Sequence, residues 1–248
     1  MRKTAAVLIA LAAIAEIGAE AIVRARVPEG GDWRAAARFV RERQRDGDGI
    51  VFAPRWADPI GRLHFGDLVP VEEAARPDRS RQARIWEVSI RGATHSEAAR
   101  PGRATEERRF GRVRVRLIER RAARVLYDVT AGAAGAKVAE VDFQPVRCVP
   151  LPPGRTLALP DVPLGRTLAV STGIDDFQSR YESSAPVTLD VLIGGERIAR
   201  IRHESDDGWT RTAIDTTRLE GTRAALRFEA TADRPKRRTL CFHAEVHE

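Results

Sequence analysis

Three stretches of the sequence hold residues whose types and spacing could do chemistry. Trp56, Asp58 and Arg62 follow the apolar run IVFAP at Ile50–Pro54. A loop in that position sits where open α/β sheets take ligands: the indole can stack on a sugar ring while the acid and the base bond its hydroxyls. The plainer reading, and the expected one, has Trp56 closing a small core and Asp58 capping the helix that Pro59 begins. Asp175 and Asp176 form an adjacent acidic pair. They could accept from sugar hydroxyls or ligate Ca²⁺, which needs about six to eight oxygens; two acids supply too few, so turn residues are expected. His243, Glu245 and His247 share a strand face at i, i+2, i+4, a set that could bind zinc. A solvated face is expected there, and no metal is assigned. His64 and His95 have no partner at recognisable spacing, and Trp209 is a further aromatic candidate for a sugar.

No G-x-S-x-G, P-loop or G-x-G-x-x-G motif follows a strand, so nothing nominates a nucleophile or a phosphate cradle. No catalytic residue is assigned, and a non-enzymatic role is expected.

The elements that must position these residues follow from hydrophobic periodicity. Asp32 can cap a helix running to about Asp46, with Trp33, Ala36, Ala37, Phe39 and Val40 on its apolar side. Ile50–Pro54 and RIWEVSIRG (Arg84–Gly92) read as buried strands, with short helices near Ile60–Phe65 and Val71–Ala75 between them. A polar loop is expected over Ala93–Glu107. Arg108–Arg120 alternates, placing Arg112, Arg114 and Arg116 on one face. That ribbon is either a solvated face or a contact for anionic lipid head groups or phosphorylated glycans. With a strand at Arg124–Val129, it completes a small α/β domain over residues 32–130. From Val138 the pattern becomes short strands: Val187–His203 folds over Gly194-Gly195, where glycine accepts φ > 0 at both central positions of a tight turn. Trp209–Ile214, Ala224–Ala230 and Thr239–Val246 follow. The expected fold is therefore a small α/β domain and an all-β jelly-roll sandwich over residues 138–248.

The N-terminus speaks to location. Arg2 and Lys3 precede an apolar run, as in a signal peptide or membrane anchor over residues 1–23, with a linker over 24–31. As a spanning helix, Ala5–Val23 is marginal. Its Leu, Ile and Val side chains contribute about −3 to −4 kcal/mol, and Glu16 and Glu20 cost about 2 to 3 kcal/mol each. Export to the periplasm, or tethering at the inner membrane, is expected. Two cysteines with no C-x-x-C suit an oxidising space, and a Cys148–Cys241 bridge would tie the first strand of the C-terminal half to its last. The net charge of +7 does not point to nucleic acid. Of 42 basic residues only three are Lys, a bias of GC-rich coding, and they are spread along the whole length.

Residues 30–95 carry a family resemblance. Trp33, Arg34, Ala36, Ala37, Gly47, Asp48 and the strand Ile50–Pro54 resemble the periplasmic tail of bacterial membrane glycosyltransferases related to protein mannosyltransferases and aminoarabinose transferases. WADPIGR and RIWEVSIRGA are similar to exported or membrane-anchored proteins of high-GC bacteria that pair this segment with a jelly roll. Those transferases keep their catalytic acids between many membrane helices, so the resemblance carries over no catalytic residue. It implies a soluble appendage. Ser171–Gln178, the hairpin at Gly194-Gly195, Gly208–Asp215 and Leu240–Val246 resemble galactose-binding-like and carbohydrate-binding modules. The expected function is binding of carbohydrate or another envelope component, with Trp56, Asp58, Arg62, Asp175, Asp176 and Trp209 as candidate contacts and no cofactor beyond an optional Ca²⁺. The alternatives are an accessory subunit docking to a membrane glycosyltransferase and a hydrolase of envelope glycans, which would need two carboxylates about 5 to 9.5 Å apart.

Overall fold

The computed structural model describes Ala13, Glu16, Gly18 and residues 27–175, 186–234 and 238–248. The rest of the apolar run Ala5–Val23, and Asp176, lie outside the described residues. Among the described residues no helix is long and apolar enough to cross a membrane.

Helix α1 spans Gly30–Arg41 and buries Trp33, Ala36, Ala37, Phe39 and Val40, the expected apolar side. It starts two residues before the expected cap. Asp32 stands inside the first turn, where its carboxylate accepts from the Glu29 N–H at 3.3 Å and favours the helix N-terminus. α1 packs on a four-stranded sheet of β1 (Gly49–Ala53), β2 (Arg84–Ile90), β3 (Arg103–Phe110) and β4 (Val113–Glu119), in the order β1-β2-β4-β3. Only β1 and β2 run parallel; the other two neighbours pair antiparallel. Short helices α2 (Asp58–Phe65) and α3 (Val71–Ala74) fill the crossover between β1 and β2. Gly61 lies against the Phe52 ring, where any Cβ would collide, so α2 can sit on β1 only with glycine there.

Part of the stretch expected as a polar loop is strand β3. Its residues are largely exposed because it is an edge strand, so no buried face betrays it in the sequence. The strand β5 (Val125–Asp128) also departs from expectation. It pairs with the last strand of the chain and not with the first sheet, and α4 (Val129–Gly132), capped by Asp128, follows it into the sandwich.

The sandwich is built from β6 (Lys137–Val141), β7 (Gln144–Leu151), β8 (Thr156–Pro163), β9 (Thr167–Ile174), β10 (Val187–Ile193), β11 (Glu196–His203), β12 (Thr210–Asp215), β13 (Arg223–Thr231) and β14 (Leu240–His247). One sheet has the order β11-β10-β13-β8, the other β12-β9-β14-β7-β6. Each sheet interleaves strands from both halves of the β7–β14 run, which is the winding of a jelly roll. The two sheets close on one apolar core that includes Leu168, Val170, Leu189, Leu226, Phe228, Phe242 and Val246, with the Phe228 and Phe242 rings 4.7 Å apart. The turn between β10 and β11 has φ of 59° at Gly194 and 91° at Gly195, the two positive values that glycine makes inexpensive.

The β6–β7 hairpin turns on Asp142 and Phe143 with φ of 46° and 69°, a pair of values that disfavours a bulky side chain. Phe143→Gly should therefore raise stability by about 1 kcal/mol, seen as a higher urea midpoint with an unchanged slope.

Candidate functional site

A cleft of about 620 Å³ opens between the first sheet and the sandwich. The chain leaves β1 at Ala53 and turns through Arg55–Ala57 into α2, which brings Arg55 to the rim. Arg55 then reaches across. Its Nε lies 2.7 Å from Asp142 Oδ2 at the β6–β7 turn, and its Nη1 donates to the Asp207 carbonyl at 2.6 Å. Gly208 (φ 69°) leaves the space that this guanidinium fills. The floor is the strap from Ala75 to Gln82. Trp209 Nε1 donates to the Pro77 carbonyl at 2.8 Å, Arg211 Nε donates to Asp78 Oδ2 at 2.7 Å, and the Arg147 N–H donates to the Ala75 carbonyl at 2.7 Å. The far wall is the loop after β2, carrying His95, Glu97 and Arg100.

Guanidiniums outnumber carboxylates here. Glu73 serves Arg76 and Arg79 at 2.9 and 3.0 Å. Asp78 serves Arg211 at 2.7 Å and Arg100 at 3.7 Å. Glu97 serves Arg100 at 2.6 Å and Arg120 at 3.1 Å. Within this network five cations share three anions, in surroundings where water screens weakly, while Arg55 pairs with Asp142 and Arg62 with Asp58 beside it. Half-buried His95 reports the excess: desolvation, and then Arg79, Arg55 and Arg100, push its pKa down to about 3. The ring is neutral, and Nδ1 accepts from the Glu97 N–H at 3.1 Å, so the remaining proton sits on Nε2. Nε2 lies 3.5 Å from Gln144 Nε2; with the proton on the ring, the amide must turn its oxygen inward to accept it. Burial leaves Asp58 raised above its ordinary value in spite of Arg62.

Of the residues nominated from sequence, Asp58 and Trp209 line this cleft. Trp56 does not: it is 41% exposed, and the Arg91 guanidinium sits 5.2 Å from its ring centroid, so it is no lid on the core. Asp58 is not a helix cap either; it is the first residue of α2 and holds Arg62 Nε at 2.6 Å. Arg62 opens onto a separate shallow groove with Pro59, Val138 and Phe143. Asp175 is held by Lys137 Nζ at 3.1 Å, away from the cleft. Residues the sequence did not nominate, Arg79, Arg100 and Arg211, do most of the lining work with His95. Arg79 alone had a sequence signal, its place in the arginine-rich run Arg76–Arg81; Arg100 and Arg211 had none.

The remaining polar candidates are also relocated. His243, Glu245 and His247 are buried, not solvated, because the strap covers that face of β14. Arg81 Nη2 lies 2.8 Å from both Glu245 and Asp128, Thr130 Oγ1 lies 2.6 Å from His243 Nδ1, and His247 Nε2 lies 2.9 Å from Glu245 Oε2. Ligand atoms of Asp128, His243 and Glu245 fall within 4.8 Å of one another, a spacing a metal ion could use. The Arg81 guanidinium already stands between the two carboxylates as their cation. In the arginine ribbon, Arg114 and Arg116 are not solvated: they lie 3.6 and 2.6 Å from the fully buried Glu87. Only Arg112 of the three is exposed. Cys148 and Cys241 are bonded, with Cα atoms 5.5 Å apart. They join neighbouring strands β7 and β14; the first strand of this half is β6, so the bridge ties the second strand to the last.

No protein-family description matches the chain, and no curated protein does. Solved structures align weakly. The M60 catalytic domain with the CBM51-1 and CBM51-2 domains from Clostridium perfringens ZmpB gives a TM-score of 0.31 at 14% identity, over 58% of this chain and 14% of that one. CBM51 from Clostridium perfringens GH95 in complex with methyl-galactose gives 0.29 at 10% identity, over 50% of this chain and 94% of that one. The carbohydrate-binding module CBM36 in complex with calcium and xylotriose gives 0.31 at 13% identity, over 49% and 98%. The aligned part thus spans as little as 14% of these chains. Scores this low carry no argument about function, and the jelly-roll assignment rests on the strand order itself.

Proposed function

We propose that the chain is a non-catalytic binding protein of the cell envelope, exported or membrane-tethered, that holds a carbohydrate bearing an acidic group, or another acidic envelope component, in the cleft between the first sheet and the sandwich. The observation that carries this reading is that five arginines, Arg55, Arg76, Arg79, Arg100 and Arg211, line an open cavity of about 620 Å³ against three acids, Asp58, Glu97 and Asp207. An incoming carboxylate or sulfate would complete the charge balance with bidentate arginine contacts. His95 Nε2–H and the Gln144 amide can bond hydroxyls, and the Trp209 ring supplies a partly apolar wall. A division between the first unit, α1 through β4, and the sandwich, which takes in β5, would put the ligand at the seam of two units, a common place for binding sites. The buried Cys148–Cys241 bridge supports an oxidising compartment. A Ca²⁺ ion at Asp175 would have to displace the Lys137 ammonium.

A glycan array carrying uronic-acid, sialylated and neutral oligosaccharides tests the reading. Retention is expected on the acidic glycans and should fall at least about tenfold in Arg55→Ala, since one charge-assisted pair contributes roughly 1.5–3 kcal/mol. Retention of neutral glycans only, or of none, would overturn it.

A further inference from the structure

A second cavity, of about 540 Å³, lies at the end of the first sheet where β2 stops and the β3–β4 hairpin turns. Four arginines line it, Arg91, Arg109, Arg112 and Arg114, and no acid does. Arg114 is already committed to Glu87, Ser89 and the Ala93 carbonyl. Arg91, Arg109 and Arg112 are exposed, and among the described residues neither Arg91 nor Arg112 makes an ion pair. Arg109 has only Glu107, at 3.9 Å. Asp32 touches the patch, but its carboxylate is taken up by the backbone N–H groups of Glu29 and Arg112. That last bond, at 3.1 Å, also fixes where the chain enters: α1 begins beside Arg112. The sequence just upstream adds Arg24 and Arg26 and, before them, the apolar run ending at Val23. Trp56 projects at the same end, half in water and stacked under Arg91.

The geometry points to a docking surface for an anionic phospholipid bilayer, formed by Arg91, Arg109 and Arg112 with Trp56 beside them. Exposed arginines attract phosphodiester head groups, and a tryptophan with one wet edge suits the head-group layer. The apolar run leading into this end favours a bilayer over a free phosphate, because it would bring the same end of the sheet to the membrane. The cleft shares no lining residue with this surface, so the two readings are tested separately.

The test uses the full chain and two kinds of vesicle, pure phosphatidylcholine and phosphatidylcholine with 30% phosphatidylglycerol (about that fraction gives a clearly negative surface). Binding to the anionic vesicles should be tighter, and the preference should fade at high salt. Replacing Arg91→Glu, Arg109→Glu and Arg112→Glu together should remove the preference, on the order of 100-fold, while binding to phosphatidylcholine through the N-terminal run stays unchanged. No preference in the wild type, or a preference that survives the triple change, overturns the proposal. If the glutamate variant does not fold, the glutamine variant at the same positions carries the same comparison.

Discussion

Asp78→Ala should lower the free energy of unfolding by about 3–5 kcal/mol, the loss expected when one side of a buried ion pair is removed. Asp78 is 2% exposed and holds Arg211 from the sandwich, Arg100 from the loop after β2 and the Ser80 N–H of its own strap. Without it, half-buried Arg211 loses its carboxylate and Arg100 keeps only Glu97, beside an already cation-rich cleft. Urea denaturation should show the loss as a fall in midpoint. Asp161→Ala, which breaks an exposed pair with Arg223, should leave the midpoint where it was. The same chemistry predicts acid sensitivity. Burial alone would raise the Asp78 carboxyl, but Arg211 and Ser80 outweigh it and hold it far below the ordinary range. Burial is likewise outweighed at Glu245, where the imidazoles of His243 and His247 beside it bring the pKa down to about 2. Groups depressed on folding stabilise the native state above their unfolded pKa, near 4.5 for Glu245, and lose that contribution as pH falls through the folded value. Stability should therefore drop as pH falls from about 4.5 toward 2, and Asp78→Ala should flatten that slope.

Removing the disulfide should cost a similar amount by a different route. Cys148 and Cys241 are separated by 93 residues, so the bond closes a long loop in the unfolded chain. On chain entropy that contributes about 4–5 kcal/mol. The Cys148→Ala, Cys241→Ala double variant should melt at lower temperature and fall to protease sooner. Both sulfurs are fully buried, so a reductant should act on the native wild type only slowly, at the rate of opening. A wild type that reduces at once under native conditions would contradict this.

What the sequence made legible is what local patterning controls. The apolar stripe of α1 and the Gly194-Gly195 turn can be read because each is a property of a few consecutive residues. The topology of β5 could not be, since an amphipathic four-residue strand suits either sheet and only its partner across the fold decides. The faces of β14 show the same limit. Phe242, Ala244 and Val246 alternate with His243, Glu245 and His247, a pattern that normally means one dry and one wet side. The wet side is covered by Ser80 and Arg81, more than 160 positions upstream. Nor could the cleft be assembled in advance. Its arginines come from the turn after β1, the strap, the loop after β2 and strand β12, and guanidiniums this common in the chain carry no local mark of convergence.

Strand β14 has a consequence for biosynthesis. It is buried over its whole length and lies between β9 on one edge and β7 and β5 on the other. Until residues 240–247 have been made, β9 keeps only β12, β7 keeps only β6, and β5 has no neighbour among the described residues, so the larger sheet of the sandwich stays split in two.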